Sequence, residues 1–193
     1  LRELQLDTLG RGIIRGVRAV HRFGLVHRDL KPLNILLQRF DDEVVPKIAD
    51  FGLAKIVGQI RVKVSRAGGL VGTLNYMAPE QFRDSRTVDQ RADVFALGCV
   101  LYEMITQRQA FPGEDLTELH SRVSRADYVP VAKHRPDCPE RMRRAIGGCL
   151  QPDPNHRIPD CETLEQIWAG LRPEIWGEQT LNSLKKQVPS VAV

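Results

Sequence analysis

His27-Arg28-Asp29-Leu30-Lys31-Pro32-Leu33-Asn34-Ile35-Leu36-Leu37 (27–37) places a histidine, an arginine, an aspartate, a lysine and an asparagine within eight residues and then runs into an apolar stretch. Burying polar groups without partners is costly. A chain keeps so much polar chemistry beside an apolar run when the polar groups line a cleft and the apolar run lies beneath. The stretch therefore predicts Ile35, Leu36 and Leu37 buried under a polar rim.

On its N-terminal side, Leu9, Ile13, Ile14, Val17 and Val20 form a helical stripe over 8–23. Asp7 or Thr8 is the candidate cap and Gly24 the candidate stop. On its C-terminal side, "NILLQ" and "VVPKIAD" read as two short strands around the turn "RFDDE", the second entering Asp50 from near Lys47. Residues 53–77 have little periodicity and carry Gly58, Gly68, Gly69 and Gly72, which predicts a long loop. Residues 92–106 are apolar nearly all round, the pattern of a buried central helix. A shorter helix is expected over 114–125. Met142, Ala145, Ile146 and Cys149, and then Leu164, Ile167, Trp168 and Leu171, repeat at helical spacing between proline-bearing connections. The tail beyond Gly177 is polar and is expected to be loosely ordered. The expected fold is α+β and mostly helical, with one small β-hairpin between its first and second long helices.

The chain's 193 residues suffice for one domain with its own core, and 42% hydrophobic with 27% charged residues is ordinary for a soluble protein. A net charge of +4 without a clustered basic face argues against a nucleic-acid partner. "RMRR" at 141–144 falls on an amphipathic pattern and reads as a solvated helix face. Cys99, Cys138, Cys149 and Cys161 form neither a CxxC pair nor a zinc-type Cys/His spacing, so reduced thiols in a cytoplasmic protein are expected. The longest apolar run, 94–105, contains Glu103 and is too short for a membrane segment. No signal peptide opens the chain, and it begins with Leu1, so the gene product is expected to start further upstream.

His27 through Asn34 matches the pattern H-R-D-L-x-x-x-N. Asp50-Phe51-Gly52 follows the hairpin, and Ala78-Pro79-Glu80 closes the long loop. Three signatures in this order resemble the protein kinase family, in its eukaryotic-like, Hanks-type serine/threonine form. Lys31, two residues after Asp29, and "GTLNYMAPE" at 72–80 resemble the Ser/Thr version. The resemblance covers 1–172 and implies the large, C-terminal lobe alone: a catalytic loop at 27–34, an activation segment at 50–80 and a helical subdomain at 88–172, followed by a tail at 173–193. The family's small N-terminal lobe, with its Gly-rich loop, strand lysine and helix glutamate, has no counterpart in these residues. "GRGIIRG" at 10–16 reads as helix surface, and Lys47 lies on the strand entering Asp50.

The resemblance implies transfer of the γ-phosphate of ATP, with Mg²⁺, to Ser/Thr hydroxyls of protein substrates. Such transfer is mostly positioning and charge neutralisation. By resemblance, Asp29 accepts the hydroxyl proton and Lys31 sets a positive charge near the transferred phosphate. Asn34 and Asp50 are implied as oxygen ligands of Mg²⁺, a hard cation. Lys31, Asn34, Leu36 and Asp50 are implied to form the nucleotide site. His27 and Phe51 are implied as core residues, Asp93 as an anchor of the catalytic-loop backbone, and Glu80 with Arg157 as a structural ion pair. Arg28 and Lys55 are implied to hold a phosphate on the activation segment. The usual eukaryotic acceptor position falls on Gly69, which has no hydroxyl, so Ser65 is the expected regulatory acceptor and Thr73 a substrate-contacting residue. The expected partners are ATP, protein substrates and the missing small lobe. Two rival readings are a catalytically inactive large-lobe or pseudokinase binding module and a small-molecule phosphotransferase of related fold. The first has no physical need for Asp29, Lys31, Asn34 and Asp50 together; Arg28 and the full span from Asp50 to Glu80 argue against the second.

Overall fold

Leu6, Ile13, Ile14, Val17 and Val20 bury one stripe of a long first helix, α1 (Glu3–Arg22). The structure is a computed structural model and describes residues 3–41, 43–50, 74–83, 88–113 and 115–171. Phe51, Lys55, Ser65 and Thr73, most of the expected loop over 53–77, and the tail 173–193 lie outside the described residues. Asp7 does not cap α1 as its sequence suggests. It lies inside the helix, where its carboxylate accepts from Arg11 at 2.8 Å and Arg141 at 2.6 Å. Gly24 does end the helix: at φ 73° it lets the Leu25 N–H reach back to the Val20 carbonyl and its own N–H to that of His21.

A single 3-10 turn over Pro32–Asn34 leads into β1 (Ile35–Phe40), which pairs antiparallel with β2 (Glu43–Ile48). Ile35 stands opposite Ile48 and Phe40 opposite Glu43, so β2 starts at Glu43 and not near Lys47, and the turn is tighter than "RFDDE" suggests. The remaining described helices are α2 (Pro79–Arg83), α3 (Gln90–Thr106), α4 (Leu116–Arg125), α5 (Val131–His134), α6 (Glu140–Cys149) and α7 (Cys161–Trp168). Carboxylates cap three of them: Asp89 takes the N–H of Arg91, Asp115 that of Glu118 and Asp160 that of Thr163. Every residue of α3 from Ala92 to Tyr102 is buried, as its unbroken apolar pattern requires. No helix among the described residues is long and apolar enough to cross a membrane.

Three sequence expectations are corrected by packing. The "GRGIIRG" segment is helical but is not surface. A Cβ on Gly10 would fall 2.5 Å from the Trp168 ring, on Gly12 2.7 Å from Pro46, and on Gly16 2.9 Å from Ile48. These glycines let α7 and β2 seat directly on the α1 backbone. Because β2 is the strand that meets α1, β1 is left on the outer edge: Ile35 is partly buried, but Leu36 and Leu37 are 57% and 58% exposed. Nor is "RMRR" a free basic face, since Arg141 reaches Asp7, Glu3 and the Trp168 carbonyl, and Arg143 pairs with Glu140.

Glu80 of α2 meets Arg157 across the core. Arg157 is 1% exposed, and its Nη1 and Nη2 lie 2.6 and 3.0 Å from the two Glu80 carboxylate oxygens. The remaining guanidinium N–H groups go to the carbonyls of Gln151, Arg91 and Pro152, and the guanidinium lies over the Phe95 ring. All five donors are used. Glu80→Ala or Arg157→Ala is expected to cost about 3–5 kcal/mol, because the first leaves the buried Arg157 charge without its partner and the second removes the guanidinium that ties Glu80 to three carbonyls. Unchanged thermal unfolding in both variants would refute a structural role.

The core also holds its weak acids in their protonated forms. Burial pushes the thiols of Cys99, Cys138, Cys149 and Cys161 above their ordinary 9.0. Burial likewise raises the Tyr76 and Tyr102 hydroxyls above 10.0, with the Glu103 contact adding to the shift of Tyr76, and pushes Tyr128 up to about 12. The folded state therefore binds these protons more tightly than the unfolded chain, so stability is full below pH 9.0 and falls as pH rises. Urea unfolding at about pH 8 and about pH 10 should show that loss, with tyrosinate absorbance appearing only as helical signal disappears. A gradual tyrosine titration ahead of unfolding would contradict it.

Candidate active site

The site is built over one buried carboxylate. Asp93, in the first turn of α3, is 1% exposed. Its Oδ2 accepts the backbone N–H of His27 at 2.7 Å, and its Oδ1 accepts that of Arg28 at 2.8 Å. His21 of α1 adds Nε2 at 2.8 Å from Oδ2. Three charge-assisted bonds offset the cost of burying this charge. They also fix the backbone of Arg28, which sits at φ 64°. A non-glycine residue in the left-handed region costs on the order of 1–3 kcal/mol and persists only when its surroundings hold it. The Arg28 carbonyl is held from the other side by Gln81 Nε2 at 3.0 Å, while Gln81 Oε1 takes the N–H of Ala78.

His27 is buried and ties the loop to the hairpin. Its Nδ1 lies 3.3 Å from the N–H of Asp29, and its Nε2 lies 3.0 Å from the Ala49 carbonyl. A carbonyl can only accept, so Nε2 carries the proton and Nδ1 accepts from Asp29. The ring thus links the residue before Asp50 to the backbone of Asp29.

Around that frame the candidate chemical groups converge. Lys31 Nζ lies 3.1 Å from Asp29 Oδ2. Asn34 is 4% exposed, and its Nδ2 donates to the Asp29 carbonyl at 2.8 Å, leaving its side-chain oxygen as an acceptor. The Asn34 carbonyl receives the N–H of Ala49, so the hairpin register brings Asn34 and Asp50 to the same end of the sheet. Asp50 is exposed and sits at φ 53°, a second left-handed non-glycine residue in this small region. Leu36 lies on the exposed edge strand. Between α1 and the hairpin a groove of about 800 Å³ is lined by Leu4, Leu9, Leu37, Val44, Val45 and Pro46 with polar neighbours.

Two residues of this frame carry no local sequence signal. His21 lies on the helical stripe side of α1 and looks like any helix histidine. Gln81 follows Glu80, and only the fold reveals that it reaches Arg28. Arg28 itself donates a long contact of 3.5 Å to the Val88 carbonyl, in addition to its backbone ties.

The family pattern described as "Protein kinase domain" matches residues 1–169. The chain is 33% identical over 179 residues to the probable serine/threonine-protein kinase PkwA of Thermomonospora curvata, an overlap of 93% of this chain and 22% of that protein. It is 34% identical over 137 residues to the serine/threonine-protein kinase PknB of Mycolicibacterium smegmatis, covering 71% of this chain and 21% of that one. Among solved structures, the kinase domain of Rad53 with SCD2 in complex with AMPPNP superposes with a TM-score of 0.67 at 29% identity, over 92% of this chain and 64% of that chain. Rad53 is a serine/threonine-protein kinase of Saccharomyces cerevisiae. The chain thus spans roughly a fifth of the curated relatives it matches.

Proposed function

The chain belongs to the protein kinase family, in its Hanks-type serine/threonine branch, and we propose that its residues 1–172 form the large lobe of an active, cytoplasmic serine/threonine kinase. The observation that carries this reading is the arrangement at Asp29. Its carboxylate is 3.1 Å from Lys31, its carbonyl is pinned by Asn34, and its backbone is tied through Asp93 and His27. In this role Asp29 accepts the proton of a substrate Ser/Thr hydroxyl while Lys31 neutralises charge on the transferred phosphate. Asn34 and Asp50 offer only two oxygen-bearing side chains. No group of three or more His, Cys, Asp or Glu side chains suited to a metal gathers among the described residues. A sparse oxygen set fits Mg²⁺ carried in with ATP, which completes its shell from phosphates and water. The cation supplies charge neutralisation at the phosphates. Leu36, on the exposed strand edge, offers an apolar floor for the adenine.

That floor and the exposed Leu33 support a second element closing over this face. We assign it to a small lobe outside residues 1–193, with the regulatory roles of Arg28, Lys55, Ser65 and Thr73 belonging to the complete enzyme. Residues 1–193 alone should therefore transfer phosphate to a generic protein substrate poorly. Turnover within about tenfold of the full-length protein would overturn the need for the second lobe.

The role assignments separate by binding. In the full-length protein, Asp29→Asn and Asp50→Asn should each lower kcat by about 10² or more. Asp50→Asn should also weaken Mg²⁺-dependent nucleotide binding by more than about tenfold, while Asp29→Asn leaves it within about threefold. Equal loss of nucleotide affinity in the two variants would mean the roles are wrongly divided.

A further inference from the structure

Cys161 opens α7 and is 1% exposed. Its Sγ lies 3.6 Å from Nδ1 of His21. The same ring places Nε2 against Asp93, whose carboxylate already takes two backbone N–H groups of the catalytic loop. A carboxylate accepts and does not donate, so the ring proton lies on Nε2 and Nδ1 is left as an acceptor. The thiol, held protonated by burial, is the donor that faces it.

We propose that Cys161 is a positioning residue for phosphoryl transfer: its S–H donates to His21 Nδ1 and holds the ring in the Nε2–H tautomer that steadies Asp93 beneath Arg28 and Asp29. The chain of contacts runs from α7 through α1 and α3 to the loop, over separations of 140 and 72 residues. The opposite tautomer would turn an Nε2 lone pair toward Asp93, two acceptors facing each other in a buried site. The carboxylate would then shift, and with it the Arg28 backbone that depends on it. Among the described residues Nδ1 meets no other hydrogen-bonding group, and a thiol is a weak but sufficient donor at this distance.

The activity part of this inference rests on the kinase reading; the tautomer part does not. The test uses the full-length protein with Cys161→Ser, which keeps a donor, and Cys161→Ala, which removes it. Two-bond nitrogen–proton spectra of the His21 ring report the tautomer. The expected result is an Nε2–H signature in wild type and Cys161→Ser and a mixture of tautomers in Cys161→Ala. The alanine variant should lose roughly three- to tenfold in kcat with KM for ATP changed less than about twofold, and serine should restore most of it. Equal kcat in wild type and Cys161→Ala, or equal loss in both variants, overturns the proposal. If Cys161→Ala does not fold, the serine variant decides: loss of its Nε2–H signature overturns the relay and retention supports it. A wild-type protein without kinase activity would sink the functional reading while the ring spectra still judge the relay.

Discussion

The carboxylate of Asp93 is the constraint from which the rest of the site follows. It sits in the first turn of the most buried helix, where a charge is expensive, and it is accepted there because three N–H groups converge on it. Two of those donors are consecutive backbone amides of the catalytic loop, His27 and Arg28. A loop held by its amides has its side chains free to point elsewhere. The left-handed turn at Arg28 is the geometric result, and Asp29 follows it directly. Replacing Asp93 would release both amides at once, leaving buried donors without partners and a strained residue without its support.

The second constraint is the closeness of α1 to its neighbours. Gly10, Gly12 and Gly16 are poor helix residues, each costing about 1 kcal/mol relative to alanine. They are tolerated because Trp168, Pro46 and Ile48 occupy the space their side chains would fill. The consequence reaches the site. β2 lies against the α1 backbone, so the end of β2 at Ile48–Ala49 is fixed, and His27 and Asn34 both bond to Ala49. Asp50 is thereby delivered beside Asn34 by packing in the helix, at a distance of many residues from either.

The grouping of these site residues was legible in the sequence because it is local. Asp29, Lys31 and Asn34 fall within six residues, Asn34 directly precedes β1, and Asp50 lies two residues past the paired end of β2. The helical body was legible too, since α3, α6 and α7 repeat apolar residues at the helical period. What escaped was long-range. His21, Gln81 and Cys161 bond to partners between 53 and 140 residues away, and no periodicity marks them. The exposure of Leu36 and Leu37 escaped for a different reason. An apolar run predicts burial, but a two-stranded hairpin seated on one helix has only one strand to bury, and β2 is that strand. The glycines of α1 were misread as surface because a missing side chain reads the same in a sequence whether water or Trp168 fills its place.

The two kinds of ion pair in the molecule show how such a frame divides its labour. Arg157 is saturated by Glu80 and three carbonyls and is closed to solvent, so nothing can compete for it without unfolding the region. Lys31 Nζ meets Asp29 Oδ2 at 3.1 Å, and the two side chains are 15% and 26% exposed. The pair thus keeps some access to solvent, which the Arg157 side chain lacks. Both groups nevertheless keep their places, because their backbone is held by Asp93, His27, Asn34 and Gln81 and not by each other. The closed pair holds the frame, and the more open pair sits on a backbone that the frame holds.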